Sequence, residues 1–243
     1  MGLNRELHHR AARAGFEWLL FKRGPAATAG CHVGAFLRSV AAHDHRPDIQ
    51  FHFFPLFFGS DWVPRPGVHG YRLGAGPTRP ESRGTVRLAS ADPSAAPLID
   101  PAYLTTERDI RQAREGLRLA REMLRQAAFA PFGGHEDTPG RDVNTKSELD
   151  AYIRANAASA YHPCGTCRMG VGVDAVIDSA FAVHGVDGLR VVDASIIPTN
   201  PGAKINAAIF MIAERVAELF RAWTRSWRDI SRVEEIYTSK RAL

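Results

Sequence analysis

The sequence predicts an α+β fold in which an antiparallel sheet with flanking helices is followed by a separate strand-and-helix segment. Two patterns lead to this prediction. Four short β-type runs follow one another with no helix between them, and amphipathic helical segments stand before and after the runs. With 243 residues, 45% of them hydrophobic, the chain is long enough for one large core or two modest ones.

The first predicted elements are a helix and the four β-type runs. The helix covers Asn4 to Lys22, where apolar residues recur at helical spacing until Gly24-Pro25 ends the pattern. Each β-type run is bounded by Gly, Pro, Asp or Ser. The runs are Cys31 to Arg38, Asp48 to Phe58, Gly70 to Leu73 and Thr85 to Leu88.

Two further helices are predicted from their start signals. Thr106-x-x-Asp109 is close to a capping box, and apolar residues three and four apart continue behind it as far as Leu124. Thr145-x-x-Glu148 opens a shorter helix. We expect a domain boundary after it, near Ser159, so that the domains are residues 1–159, residues 160–222 and a basic helical tail at 223–243.

The segment beyond this boundary carries the residues with chemistry. It has a His-Pro-Cys-Gly-Thr-Cys-Arg-Met-Gly loop starting at His162, a predicted strand from Leu189 to Asp193, and a connector rich in Pro, Asn and Gly. A predicted apolar helix then runs from Asn206 to about Ala222.

His162 and Asn206 are suited to the oxidation of an alcohol. In that reaction the hydroxyl proton goes to a base while a carbon-bound hydrogen leaves as hydride, and neutral imidazole has a pKa suited to the base. Asn206 can donate an amide hydrogen bond to the substrate oxygen, with the positive end of a helix dipole behind it. Taken singly, however, a loop His is more often a surface residue, and an Asn at a helix start is usually an N-cap.

The surrounding sequence resembles a known family. The motifs at 161–170, 189–198 and 206–214 are similar, in order and spacing, to those at the C-terminal end of glucose-methanol-choline (GMC) oxidoreductases. Upstream segments resemble the substrate-domain strands of the choline-dehydrogenase-like members. These segments are Asp48 to Phe53, Ser82 to Leu88 and Pro97 to Leu104.

The resemblance implies roles for individual residues. His162 would be the catalytic acid/base of an FAD-dependent alcohol oxidoreductase, and Asn206 its partner. The substrate would be a primary alcohol, oxidised to an aldehyde. His52 and, more weakly, Gln50 would contact this substrate from a strand of the substrate-binding domain. The residues implied to line the cofactor are Asp193, Ala194, Pro201 and Gly202.

One family feature is missing from the sequence, the Gly-rich strand-turn-helix that binds the pyrophosphate of FAD. Gly170 to Ala175 formally matches G-x-G-x-x-A, but no apolar strand precedes it and no amphipathic helix follows. The chain therefore reads as an N-terminally truncated substrate-binding domain with the C-terminal portion of an FAD-binding domain. Its expected partner is a separately encoded N-terminal FAD-binding half, without which it is not expected to hold FAD tightly.

Two other classes of function stay open at this point. One is a metal or redox module: Cys164 and Cys167 have the C-x-x-C spacing of two zinc ligands or of a redox-active thiol pair and His162 is adjacent, although no further Cys/His pair follows and the cysteines do not stand at a strand-to-helix start. Alternatively, the chain is an inactive remnant of a split gene that acts only as a binding piece.

Composition excludes some partners and indicates a compartment. The net charge of +5 is spread over the chain with no block of like charges, so nucleic acid binding is not expected. No segment reaches the ~20 apolar residues of a membrane span, and membrane association is not expected either. Three cysteines are compatible with a reducing compartment, which favours the cytoplasm.

Overall fold

The computed structural model describes residues 7–27, 30–31, 33–57, 63 and 68–221. Contacts divide the chain into two compact units, Met1–Ala158 and Ser159–Leu243. The expected tail at 223–243 and the first residues of the expected opening helix lie outside the described residues.

In the first unit, the elements are helix α1 (Leu7–Phe21), strands β1 (Val33–Leu37), β2 (Ile49–Phe54), β3 (Arg72–Pro77), β4 (Thr85–Arg87) and β5 (Leu98–Asp100), and helices α2 (Glu107–Leu124) and α3 (Lys146–Asn156). Strands β1, β2 and β3 form an antiparallel sheet in that order, and β4 pairs with β5 in a separate two-stranded sheet. The predicted class, antiparallel sheet with flanking helices, is confirmed. Strand β5 was not among the four runs predicted from residue pattern, because its three residues show no alternation, but it lies within the segment Pro97 to Leu104 that resembles a family strand.

Both predicted capping signals are present in the structure. The side chain of Thr106 accepts a hydrogen bond from the Asp109 backbone N–H at 3.2 Å and so caps α2. Thr145 and Glu148 make the reciprocal pair of a capping box at α3. Each satisfies backbone N–H groups that the first helical turn leaves without an intrahelical partner.

Two apolar clusters hold the first unit together. Ile49 and Phe51 on β2 pack against Ala120 of α2, with exposed fractions of 0% and 1% for the two strand residues. Ile110 of α2 packs with Ile153 of α3 in the second cluster. Burial of each large side chain contributes roughly 1.5–3 kcal/mol. Because α2 contributes residues to both clusters, it is the element that connects the sheet to α3.

Buried polar groups also attach α2 to the sheet. Asp48, which is fully buried, accepts hydrogen bonds from the Ser39 N–H at 2.6 Å, the Ser39 hydroxyl at 2.7 Å and the Gln112 amide of α2 at 2.7 Å. Asp109, 1% exposed, accepts from the backbone N–H groups of Glu81 and Ser82 at 2.8 Å each. A buried carboxylate persists because such partners replace its lost hydration.

The second unit is built from short segments rather than long strands. Bridges join Met169 to Ile177, Ile177 to Val183 and Ala182 to Arg190. The predicted strand Leu189–Asp193 is therefore wrong as an extended element, because only Arg190 has a bridge partner among the described residues. A helix over 206–221, α4, follows as predicted.

Candidate active site

The loop that carries His162 is fixed by backbone hydrogen bonds to a distant segment. The N–H of Cys167 donates to the carbonyl of Ser195 at 3.0 Å, and the N–H of Met169 donates to the carbonyl of Ile196 at 2.9 Å. Two motifs about 30 residues apart in the sequence therefore form one folded site. Sequence reasoning missed this connection, because a backbone hydrogen bond leaves no signal in residue type.

Gly165 gives this loop its sharp turn. Its φ is +91°, a conformation that L side chains rarely adopt, and a Cβ at this position would stand 3.3 Å from the carbonyl oxygen of Ile197. The absence of a side chain thus lets the loop lie directly against the segment behind Asp193.

The imidazole of His162 is half-buried at the start of the loop. Among the described residues, its ring nitrogens have no hydrogen-bond partner, so no hydrogen bond fixes the ring there. Tyr161 before it has a φ of +60° and is 88% exposed, which shows that the chain turns immediately before the histidine.

Asn206 is the first residue of α4 but is not its N-cap. The carbonyl of Ile205 accepts the first helical hydrogen bond, from the N–H of Ile209 at 2.9 Å, so the capping position belongs to Ile205. Ile205 is buried, whereas the side chain of Asn206 is exposed in the first turn. The alternative interpretation of Asn206 as a simple N-cap is therefore wrong. No hydrogen bond between His162 and Asn206 occurs among the described residues.

Asp193 caps a single 3-10 turn over Ala194–Ile196. One of its carboxylate oxygens accepts hydrogen bonds from the Ser195 N–H at 2.8 Å and from the Ser195 hydroxyl at 2.5 Å. Asp193 is exposed and Ala194 is half-buried. The carboxylate thus fixes the turn whose carbonyl groups hold the His162 loop.

The connector to α4 contains the other two residues expected near a cofactor. Pro201 is exposed, and Gly202 is half-buried with a φ of +91°. The N–H of Gly202 donates to the side-chain oxygen of Asn200 at 3.1 Å. Asp193, Pro201 and Asn206 are all exposed, so none of them is part of a packed core.

In the first unit, the core residues and the candidate substrate residues of β2 lie on opposite faces of the sheet. Ile49 and Phe51 face α2, so the alternation of the strand places Gln50 and His52 on the opposite face of the sheet. Phe51, 1% exposed, is thus a core residue and not part of the face that carries His52. The cross-strand neighbours of His52 are Gly34 and Gly74.

Neither the metal alternative nor the dinucleotide-like motif gains support. Within the described residues no group of three or more His, Cys, Asp or Glu side chains is placed to hold a metal ion, and neither Cys164 nor Cys167 is in a disulfide. Gly170 to Ala175 forms bends and a turn with no helix after it, so it lacks the helix N-terminus that binds a phosphate. No described helix has the length and apolarity needed to cross a bilayer.

Comparison with known proteins identifies relatives for most of the chain. The family model of GMC oxidoreductases matches residues 80–213. An oxygen-dependent choline dehydrogenase of Chromohalobacter salexigens is 41% identical over 209 residues, covering 86% of this chain and 37% of the relative. The protein of the same name from Brucella ovis is 44% identical over 209 residues, with 85% and 38% covered. The chain spans little more than a third of these relatives.

Solved structures show the same relationship. Pyridoxine 4-oxidase from Mesorbium loti matches with a TM-score of 0.70 at 35% identity, over 78% of this chain and 37% of that structure. Formate oxidase from Aspergillus oryzae RIB40 matches with a TM-score of 0.79 at 23% identity, over 89% and 42%, and supports the fold alone.

Proposed function

The chain belongs to the GMC oxidoreductase family, and from this premise we propose that it is the C-terminal part of an FAD-dependent enzyme that oxidises a primary alcohol to an aldehyde. The observation that carries the proposal is the attachment of the His162 loop to the Ser195 and Ile196 carbonyls. This attachment brings the first two family motifs into one site, with a histidine not used by the fold.

In this proposal His162 removes the hydroxyl proton of the substrate. A ring nitrogen of neutral imidazole accepts the proton as the carbon-bound hydrogen departs, the role of general base that histidine most often takes in enzymes. Its two neighbours support the role physically. Pro163 favours an extended backbone before it, and Gly165 allows the sharp turn that follows.

Asn206 holds the substrate oxygen as negative charge develops on it. Its exposed amide stands in the first turn of α4, where the helix contributes a partial positive charge. A donor directed at a developing oxyanion is worth about 2.7–4 kcal/mol of barrier in characterised enzymes. The finding that Ile205 provides the helix cap leaves the amide available for this work.

FAD, when bound, supplies the hydride acceptor. The residues that we propose to contact it are Asp193, Ala194, Pro201 and Gly202, and the remaining contacts come from a separate N-terminal FAD-binding half. The proposal that residues 160–222 complete an FAD-binding domain and residues 1–159 a substrate-binding domain follows from the same family relationship.

We propose that Gln50 and His52 contact the substrate alcohol from the sheet face opposite α2. Choline is the first substrate to test, since the curated relatives are named oxygen-dependent choline dehydrogenases. None of the three cysteines is in a disulfide, which supports a reducing location, and we propose the cytoplasm.

The test is turnover of the assembled enzyme, obtained by co-producing this chain with an N-terminal FAD-binding half. His162→Ala should lower turnover with choline about 10²–10⁴-fold while FAD remains bound. His184→Ala is the matched control, because His184 lies in the same unit and its ring contacts the Gly170 carbonyl at 3.2 Å. An unimpaired His162→Ala enzyme would remove this residue from the mechanism.

A further inference from the structure

One face of α2 carries a line of arginines that the proposed reaction does not use. Arg111, Arg118 and Arg125 are exposed and separated by seven residues each, so they follow one another along the helix about every 10 Å. Arg114 and Arg121 stand beside them, and together the five line a groove of about 310 Å³. We call this surface the arginine groove.

The two inner arginines have a structural role. Arg114 donates to both carboxylate oxygens of Asp150 at 2.7 and 3.1 Å and is 18% exposed. Arg121 bonds Glu136 at 2.9 Å and the Gly140 carbonyl at 3.0 Å and is 13% exposed. These contacts attach α3 and the connector before it to α2, so neither guanidinium is offered to a partner.

The three exposed arginines differ from one another in whether a carboxylate pairs with the guanidinium. Arg118, 57% exposed, pairs with Glu115 at 2.9 Å and with Glu122 at 3.2 Å. Within the part of the chain that the structure describes, neither Arg111 nor Arg125 has a carboxylate partner. The groove therefore has an unneutralised cation at each end, and Glu115 is the acidic residue among those lining it.

The distance between the two unneutralised arginines limits the kind of ligand that can contact both. The two unneutralised cations are 14 residues apart on the helix, which corresponds to ~21 Å, and a compact anion reaches only one of them. Both arginines line the groove, so a ligand that contacts the two must be extended. An extended row of acidic side chains suits such a groove. Val40, Ala41 and Leu149 also line it and no aromatic ring does, so it lacks the stacking platform of single-stranded nucleic acid sites.

We propose that the arginine groove binds an acidic polypeptide segment of a partner protein, with carboxylates about 20 Å apart contacting Arg111 and Arg125. The inference does not depend on the proposed oxidoreductase activity, because α2 contains none of the residues assigned to the reaction. Complementary charge at this spacing supplies orientation and association rate as well as affinity.

The experiment measures binding of a fluorescein-labelled ten-residue oligoglutamate to the 243-residue chain by fluorescence anisotropy. Ten extended residues reach ~33 Å and span both arginines. Arg111→Gln/Arg125→Gln should weaken binding roughly tenfold at low salt and flatten its salt dependence. The matched control, Arg83→Gln/Arg87→Gln, removes the same charge from exposed positions before and on β4 and should change affinity less than twofold.

An equal loss in both double variants would overturn the proposal, since it would show attraction to net charge alone. Equal binding of a ten-nucleotide oligothymidylate, or full competition by equimolar pyrophosphate, would also overturn it. A second measurement avoids variants altogether. Phenylglyoxal modification of the unaltered chain, followed by peptide mass mapping, should show that oligoglutamate protects Arg111 and Arg125 but not Arg87, and equal modification with and without the peptide would refute the site.

Discussion

Replacing Gly165 with alanine should loosen the His162 loop without unfolding the protein. At φ +91° an alanine is strained, which costs roughly 1–2 kcal/mol. The new Cβ also meets the Ile197 carbonyl oxygen at 3.3 Å, so the loop must shift by a few tenths of an ångström. We expect a total cost of about 1–3 kcal/mol. Because two backbone hydrogen bonds attach the loop to the Ser195–Ile196 turn, this cost should appear as local opening there.

The assay is amide hydrogen exchange of the 243-residue chain, read at the amides of Cys167 and Met169, which donate those two bonds. Protection at both should fall about 10–100-fold, since 1.4 kcal/mol corresponds to a factor of ten. Two controls separate the causes. Gly172→Ala has no positive φ and open space around it, whereas Gly188→Ala has a φ of +74° with open space and tests backbone strain alone.

Unchanged protection at Cys167 and Met169 in the Gly165→Ala protein would refute the reasoning. So would an equal loss in the Gly172→Ala protein, because that substitution introduces neither strain nor a contact. In the assembled enzyme, a loosened loop should also lower turnover, since the base must stay within hydrogen-bond reach of the proton that it removes.

The remaining predictions concern cofactor, catalysis and stability. The 243-residue chain mixed with FAD should show no stoichiometric flavin absorbance after gel filtration, and a stable yellow complex would contradict the need for a second half. Asn206→Ala should lower turnover of the assembled enzyme about 10²–10³-fold with FAD retained, whereas an unchanged rate would exclude an oxyanion contact. Asp48→Ala should lower the free energy of unfolding in urea by about 3–5 kcal/mol, because it leaves buried polar groups unpaired, and Asp48→Asn should cost less. Hydrogen bonds from the backbone N–H groups of Thr145 and Asn144 lower the pKa of Glu148 in the folded protein. The carboxylate therefore stabilises the fold at pH values above the ordinary glutamate pKa of about 4.3, and this stabilisation is lost as the pH falls through the lower folded pKa. Glu148→Gln should make the stability of α3 less sensitive to pH below about 5.

The sequence predicted well those elements whose signals are local. The capping signals at Thr106 and Thr145 located the starts of α2 and α3, because a cap depends on residues within one helical turn. It failed at Leu189–Asp193, where a β-branched run lacks a full ladder of partners among the described residues. Strand formation depends on partners that lie elsewhere in the chain, and residue type does not record them.

The same contrast applies to the candidate site. The motif at His162 and the start of α4 were predicted from the chain alone, but Asn206 could not be distinguished from a cap until the hydrogen bond to the Ile205 carbonyl was seen. The face of β2 that meets α2 was likewise not predictable, because alternation defines two faces without saying which one is covered.

The alternation of β2 residues between the two faces of the sheet has a practical consequence for engineering. Odd-numbered residues from Ile49 to Phe53 point toward the helix side of the sheet, and even-numbered ones point away from it. A mutagenesis library restricted to Gln50, His52 and Phe54 therefore leaves the packing of Ile49 and Phe51 on α2 untouched. Under the proposal that Gln50 and His52 contact the substrate, selection for a new substrate is best begun at these two positions while the protein remains foldable.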